Sequence, residues 1–224
     1  MLKTIYLNKK KLPIPIPIRT LKEALDWVDD HIIDSDHSVT RIKVNGQDLE
    51  WSGEKEDSIL DFEVNQSMKV FFQIDSPMDI SVQTIDALRN LINVMLKSLK
   101  PVAVDCWKTQ GEEGPEQLSM VKSDLDLVID LLDHIMVLLD GRINFRNILN
   151  TSEVILEIES KLSKAIDIKD WKLVAKILLK ELEVQLLDLT NELSSLQKMI
   201  FEMLASSHEF RKGFVGAEKS HSEP

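Results

Sequence analysis

The chain has 224 residues, 43% of them hydrophobic, which is enough to fold one large or two small domains around a buried core. Its 38 acidic and 27 basic residues give a formal net charge of -11, which disfavours binding to nucleic acids and anionic lipids. The single cysteine excludes an internal disulfide, and the lack of a leader sequence or long apolar segment predicts a cytoplasmic protein without membrane insertion.

The first predicted elements form a β-hairpin whose second strand is rich in proline. Residues 2–7 and 13–18 are typical of strands, and the polar residues 8–11 are typical of the turn between them. Alternate prolines would leave one side of the second strand without backbone donors, which predicts a protected edge strand, and the isoleucines between them would share a buried face. These residues are Pro13, Pro15 and Pro17, and Ile14, Ile16 and Ile18. The alternative is a linker or ligand segment in polyproline II conformation.

A helix and three further strands are predicted next. Thr20 and Glu23 have the spacing of a capping box, and the helix that they begin would end near Asp34. Asn45-Gly46 is typical of a two-residue hairpin turn, and one more strand would follow the acidic loop after that hairpin. The positions that carry the periodicity are Leu21, Leu25, Val28 and Ile32 in the helix, Thr40, Ile42, Val44, Leu49 and Trp51 around the turn, and Met68, Val70, Phe72 and Ile74 in the last strand.

In strand order and length, residues 1–75 resemble a ubiquitin-like β-grasp domain. The resemblance includes residues 41–50, which are followed by an acidic loop and a closing strand. Domains of this fold serve as modifiers, sulfur carriers, scaffolds and docking modules. Conjugated modifiers and sulfur carriers end in Gly-Gly, whereas this chain continues through Asp75-Ser76-Pro77 into helices. The resemblance therefore implies a domain that docks a partner and is not conjugated to one.

Four amphipathic helices are predicted after the boundary at Ser76-Pro77. The first would stop or kink at Lys100-Pro101. The second would end at Gly141, and because it is apolar nearly all round we expect it in the centre of a bundle or against a second subunit. A shorter third helix would begin with Asn150 as its N-cap and Glu153 at its third position.

The last helix, over residues 170–205, carries a continuous apolar seam with alternating steps of four and three. At 1.5 Å per residue it would be about 50 Å long, which suggests a surface that meets other helices. The seam residues are Ala175, Leu179, Leu182, Leu186, Leu189, Leu193, Leu196, Ile200 and Met203. Since residues 193–203 have no evident partner inside the chain, the predicted partner-binding residues are Leu186, Leu189, Leu193, Leu196, Ile200 and Met203.

The predicted fold class is α+β. It comprises a β-grasp domain over residues 1–75 and an antiparallel four-helix bundle over residues 77–206, with a long C-terminal helix. Residues 207–224 are polar and predict a flexible tail, in which Phe210 and Phe214 are candidate anchors of a short linear motif.

No catalytic or cofactor-binding motif is present, so we expect neither an enzyme nor a bound cofactor. Cys106 has no nearby histidine and is interpreted as a packing residue. Asp130 and His134 lie one helical turn apart and are the best site for a metal, although a single pair is more typical of a solvent-facing or interface hydrogen bond. The other possible ligands, at the end of the first helix, lack a recognised spacing: Asp29, Asp30, His31, Asp34, Asp36 and His37.

These observations predict a non-enzymatic interaction or adaptor protein. Its β-grasp domain would dock a protein partner, and its helical part would form a homodimer or receive the amphipathic helix of a partner. One alternative is an acidic export or assembly chaperone, because the chaperones of flagellar and type III secretion systems are similar in size, acidity and helicity. The other alternative is a metal-binding helical-bundle protein.

Overall fold

The computed structural model describes residues 1–33, 36–50, 58–109 and 114–217, with side chains described as far as residue 206. The chain divides into two compact units, Met1–Ile80 and Ser81–Pro224. The first contains a five-stranded mixed sheet, and the second is helical. The α+β class predicted from the sequence is therefore confirmed.

The sheet of the first unit has the strand order β2-β1-β5-β3-β4. Strands β1 and β5 are parallel, whereas the other neighbouring strands are antiparallel. One face of the sheet packs with helix α1 in a single apolar core. The elements are β1 (Leu2–Leu7), β2 (Lys10–Ile18), α1 (Leu21–His31), β3 (Ser38–Val44), β4 (Gln47–Asp48), a 3-10 turn (Ser58–Asp61) and β5 (Val70–Asp75).

Both hairpins turn through two residues with positive φ, the geometry that matches the twist of the flanking strands. The turn asparagines also bind β5 or the residue before it. The side-chain amide of Asn8 donates to the carbonyl oxygen of Ile74 at 2.8 Å and accepts from its N–H at 2.9 Å, and Asn45 accepts from the N–H of Lys69 at 2.9 Å. The φ angles are 43° for Asn8, 72° for Lys9, 53° for Asn45 and 86° for Gly46.

Strand β2 lies at an edge of the sheet, as its prolines predict, but its isoleucines do not share one face. Ile14 and Ile18 are buried, whereas Ile16 is 49% exposed, so the prediction for Ile16 is wrong. Because prolines cannot donate to the ladder, the pairing shifts register, and one residue of β1 stands opposite residues 14–17.

Two other details of the first unit differ from the sequence pattern. Thr20 caps α1 as predicted, since the N–H of Glu23 donates to its hydroxyl at 3.2 Å, although the Glu23 carboxylate accepts from the N–H of Arg19 and not from that of Thr20. Helix α1 ends at His31 and leaves Ile32 exposed. A bulge after Val39 turns Thr40 outward. The predicted helix end at Asp34 and the strand residue Trp51 lie outside the described residues.

The second unit consists of long helices that begin at the predicted boundary. The hydroxyl of Ser76 accepts from the N–H of Asp79 at 3.2 Å and donates to its carboxylate at 2.6 Å, which caps α2. Helix α2 does not stop at Lys100-Pro101 but continues through Pro101 to Lys108, so of the two predicted alternatives the continuation is confirmed. The helices are α2 (Pro77–Lys108), α3 (Glu116–Leu139), α4 (Arg146–Asp167), α5 (Trp171–Ile177), a π-helical turn (Leu178–Leu182) and α6 (Glu183–Ala217).

The sequence misplaces the start of α4, and of the two environments expected for α3 the centre of a bundle is wrong. Asn150 lies inside α4 rather than at its N-cap, because the buried stripe already starts at Ile148 and the side chain of Asn144 accepts from the N–H of Arg146 at 3.1 Å. Helix α3 is buried along one stripe only. Its Val137 is 76% exposed, which contradicts the expected central position.

One buried stripe runs along α5, the π-helical turn and α6, which follow one another without a break. Its spacing contains one extra residue, at the π-helical turn. A π turn accommodates one extra residue, and the buried positions accordingly step by seven, then eight, then seven. The expected seam residue Leu179 is therefore only partly buried, and Leu178 takes its place in the interior. The buried positions at this spacing are Trp171, Leu178, Leu186, Leu193 and Ile200.

Gly114 lies so close to the side chain of Trp171 that a larger residue at this position would clash with it. A Cβ atom at this position would lie 2.7 Å from the indole ring of Trp171, which is itself buried at the start of α5. We expect Gly114→Ala to lower the free energy of unfolding by about 1–3 kcal/mol because the indole must move. Urea unfolding measures this loss.

A double-mutant cycle tests the cause of this destabilisation. In a Trp171→Phe background, which removes the fused ring, the glycine substitution should cost less than it does in the natural chain. Equal costs in the two backgrounds would contradict the proposed clash.

Candidate partner-binding surfaces

The apolar seam predicted to bind a partner belongs to the interior of the second unit. Of the six predicted partner-binding residues, five are at most 1% exposed, and only Met203 is accessible, at 39%. The expectation that the seam lacks an internal partner is therefore wrong as far as Ile200. The five buried residues are Leu186, Leu189, Leu193, Leu196 and Ile200.

Several neighbouring parts of the chain account for this burial, among them helix α4, which packs against α6. Helix α2 lies beside α6, since Arg89 donates to the side chain of Gln197 at 3.1 Å and Gln197 donates to Asp86 at 2.8 Å. The connection between α3 and α4 lies on another side of α6, where Phe145 and Leu196 line the same cleft. The predicted four-helix bundle already implies helical neighbours for α6, but the sequence does not predict that the α3–α4 connection, which is distant from α6 along the chain, lies beside Leu196.

Two adjoining clefts open between α6 and the α3–α4 connection. Their volumes are about 480 and 550 Å³, and both are lined by Asn144 and Met199. Met203 lines the second cleft. The other lining residues are Phe145, Arg146, Asn147, Ile148, Asn191, Glu192, Ser195 and Leu196 in the first, and Arg142, Ile143, Glu202 and Ser206 in the second.

The clefts combine apolar side chains with polar groups on the rim. Met199 and Met203 are 40% and 39% exposed, and Phe201 nearby on α6 is 53% exposed. One carboxylate oxygen of Glu192 is buried and has no hydrogen-bond partner among the described residues. A buried acceptor without a donor is unfavourable, so a ligand that supplies an N–H or O–H group would stabilise this position.

The sequence identified only part of these clefts. Leu196 and Met203 belong to the predicted seam, but Met199 lies beside it, and the remaining wall comes from the loop after Gly141. That glycine has a φ of 66°, and its left-handed conformation ends α3 as predicted. The spacing of apolar residues along α6 cannot show which loop packs against that helix in the folded chain.

The other candidate groups do not line these clefts. Asp130 and His134 are exposed on α3, and His31 binds the carbonyl oxygen of Trp27 at 3.1 Å. In the described ranges, no group of three or more His, Cys, Asp or Glu side chains is arranged to hold a metal ion. Asp34 lies outside the described residues.

Two further findings concern the chain as a whole. None of the described helices combines the length and the apolar character needed to cross a membrane. Comparisons of the chain with protein families, with curated proteins and with solved structures find no significant match.

Cys106 is fully buried in α2, and burial raises the pKa of its thiol to about 11, with a further increase from the charge of Asp105. We expect this thiol to resist Ellman's reagent in the native protein at about pH 8, because the reactive thiolate is nearly absent and the sulfur is covered. In guanidinium chloride the same thiol should react fully. Rapid reaction of the folded chain would contradict the interpretation of Cys106 as a packing residue.

Proposed function

We propose that this chain is a non-enzymatic interaction protein that binds the amphipathic helix of a protein partner in the clefts beside α6. The observation that carries the proposal is the exposure of Met199 and Met203, which lie one helical turn apart on either side of Ile200, the last buried seam residue, and line the clefts. Exposed apolar side chains that cluster beside a concave surface are typical of binding sites.

The chemistry of the clefts suits a helix as the occupant. Methionine side chains are flexible and polarizable, so they adapt to the apolar face of a bound helix. Asparagines and arginines of the α3–α4 connection and of the first turn of α4 surround this apolar floor with hydrogen-bonding groups, a distribution typical of interfaces. A donor on the partner would also satisfy the buried oxygen of Glu192.

We also propose that the first unit is a β-grasp domain and that the second is an antiparallel four-helix bundle. The strand order and the place of α1 between β2 and β3 support a β-grasp assignment for the first unit. In the second unit, Lys172 lies 5.9 Å from the ring centroid of Trp107, while Gln197 binds Asp86. These contacts support α2 running antiparallel to the α5–α6 helix in a four-helix bundle. A cytoplasmic location is part of the same proposal.

The exposed methionines provide the test, since charging the buried Leu193 or Leu196 would disrupt the interior instead. We expect the tagged chain to co-purify with a defined partner from its native host. The double change Met199→Glu and Met203→Glu should weaken this binding about tenfold, because a partner would cover the exposed two-fifths of each methionine, which contributes roughly 0.6–1.2 kcal/mol per side chain. Titration of the purified partner by calorimetry measures the change.

The matched control is Met120→Glu, which places the same charge at a 66% exposed methionine on α3 that does not line either cleft. This variant should bind like the natural chain, and circular dichroism should show equal helicity for all variants. Unchanged binding by the double variant would refute the proposal.

The same experiment separates the alternatives. If light scattering shows that the occupant is a second copy of the chain, the clefts form a homodimer interface. If the partner is bound only while unfolded, an export or assembly chaperone is favoured. The metal-binding alternative has no group of ligands to support it among the described residues.

A further inference from the structure

We propose that the outer face of the sheet in the first unit binds an acidic peptide segment of a protein partner, one whose carboxylates flank an apolar side chain. The surface is formed only by residues of the first unit and does not depend on the clefts beside α6. Two features of this face support the binding of such a peptide: a row of residues that stand opposite one another across the five strands, and the positive charge around that row.

The row contains one residue from every strand of the sheet. Residues directly opposite each other on neighbouring strands point to the same face. In the central strands, the residues immediately before and after each member of the row are buried in the core. The row itself therefore lies on the face away from α1. In strand order from β2 to β4, the row is Lys11, Tyr6, Phe71, Lys43 and Asp48.

The centre of the row is aromatic. The rings of Tyr6 and Phe71 stack with centroids 4.4 Å apart and planes inclined by 21°, and both side chains are partly exposed. A cleft of about 640 Å³ lies beside the pair and includes Phe71 in its lining. The apolar side chain of a partner can therefore enter this cleft and cover Phe71.

The rim of the row is basic, although the chain as a whole carries a charge of -11. Arg41 binds Asp48 at 2.7 Å, and this hydrogen bond lowers the pKa of the Asp48 carboxyl. Lys43 is 3.4 Å from the same carboxylate. Lys9 and Lys11, by contrast, have no ion-pair partner among the described residues.

The second carboxylate near this cleft is already engaged. Asp75 is nearly buried, and its Oδ2 atom accepts hydrogen bonds from Thr40 and Gln73. Three cations but only one carboxylate therefore line the cleft, and both this carboxylate and that of Asp48 beside it have internal partners. Charge complementarity favours an anionic segment on this face.

A peptide fits this surface better than a nucleic acid does. Aromatic platforms for bases need open ring faces, whereas Tyr6 and Phe71 each cover one face of the other. The net charge of -11 also repels a polyanion, while a short acidic peptide has fewer charges to bring close. Strands are about 4.8 Å apart, so Lys11 and Lys43 stand roughly 14 Å apart across the aromatic pair. That separation leaves room for one apolar side chain between two carboxylates.

The test uses the full chain and three labelled probes, with fluorescence anisotropy as the measurement. The first probe is a short peptide in which glutamates surround one central leucine. The second replaces its glutamates with glutamines, and the third is oligothymidine of equal length. We expect binding of the glutamate peptide only, and we expect it to weaken as salt is added.

Two lysine variants with the same change in charge locate the site. The pair Lys11→Gln and Lys43→Gln should weaken binding of the glutamate peptide about three- to tenfold, as expected for the loss of two exposed ion pairs. The control pair is Lys10→Gln and Lys22→Gln. Lys10 is exposed opposite Leu7, on the other side of β2, and Lys22 is exposed on α1. The control pair should bind normally.

Nuclear magnetic resonance provides the second readout. Amide shifts on adding the glutamate peptide should concentrate at Tyr6, Phe71 and Lys43. The proposal is overturned by tighter binding of oligothymidine, by the absence of peptide binding, by equal losses in the two lysine pairs, or by shifts confined to other residues. Each of these outcomes is independent of whether the clefts beside α6 bind a partner.

Discussion

The second unit depends on the burial of one apolar stripe along the α5–α6 helix. Each of its leucines contributes roughly 1.5–3 kcal/mol by leaving water, and the contribution is kept only while neighbouring helices cover the stripe. The π-helical turn at Leu178–Leu182 keeps the stripe on one side of the helix by accommodating an extra residue. A partner could contact these side chains only if the helices of the unit first separated. A partner of this unit would therefore bind beside the stripe, where Met199 and Met203 line two clefts.

The first unit follows a different constraint, because a sheet covered by a helix on one side has two chemically distinct faces. Alternation along β1, β3 and β5 directs the large apolar side chains toward α1. The other face is left with lysines, an arginine and one aromatic pair. Asn8 and Asn45 bind backbone groups at the two ends of the central strand, so the hairpins that carry these side chains are fixed against it.

The two proposed surfaces differ in the interaction that dominates each of them. The clefts beside α6 offer apolar contact with a polar rim, which gives affinity through burial. The sheet face offers charge around a small apolar centre, which gives specificity and a salt-dependent encounter. Each surface is formed within one unit, so a partner of one need not affect the other. Two surfaces of unlike chemistry in one chain are consistent with an adaptor.

Residue spacing alone determined the α+β class, the N-cap at Thr20, the boundary at Ser76-Pro77, the Asn45-Gly46 turn and the helix end at Gly141, because those features depend on neighbours within a few positions. It also identified the stripe along the last helix, but not what covers it. Tertiary structure decided that Leu193 is buried inside the unit and not exposed to solvent or to a partner. It also decided which loop lies beside Met199. The same is true of the row from Lys11 to Asp48, since strand register joins residues far apart along the chain. Local patterns encode the direction of a side chain from its own backbone, and only the packed fold supplies what lies in that direction.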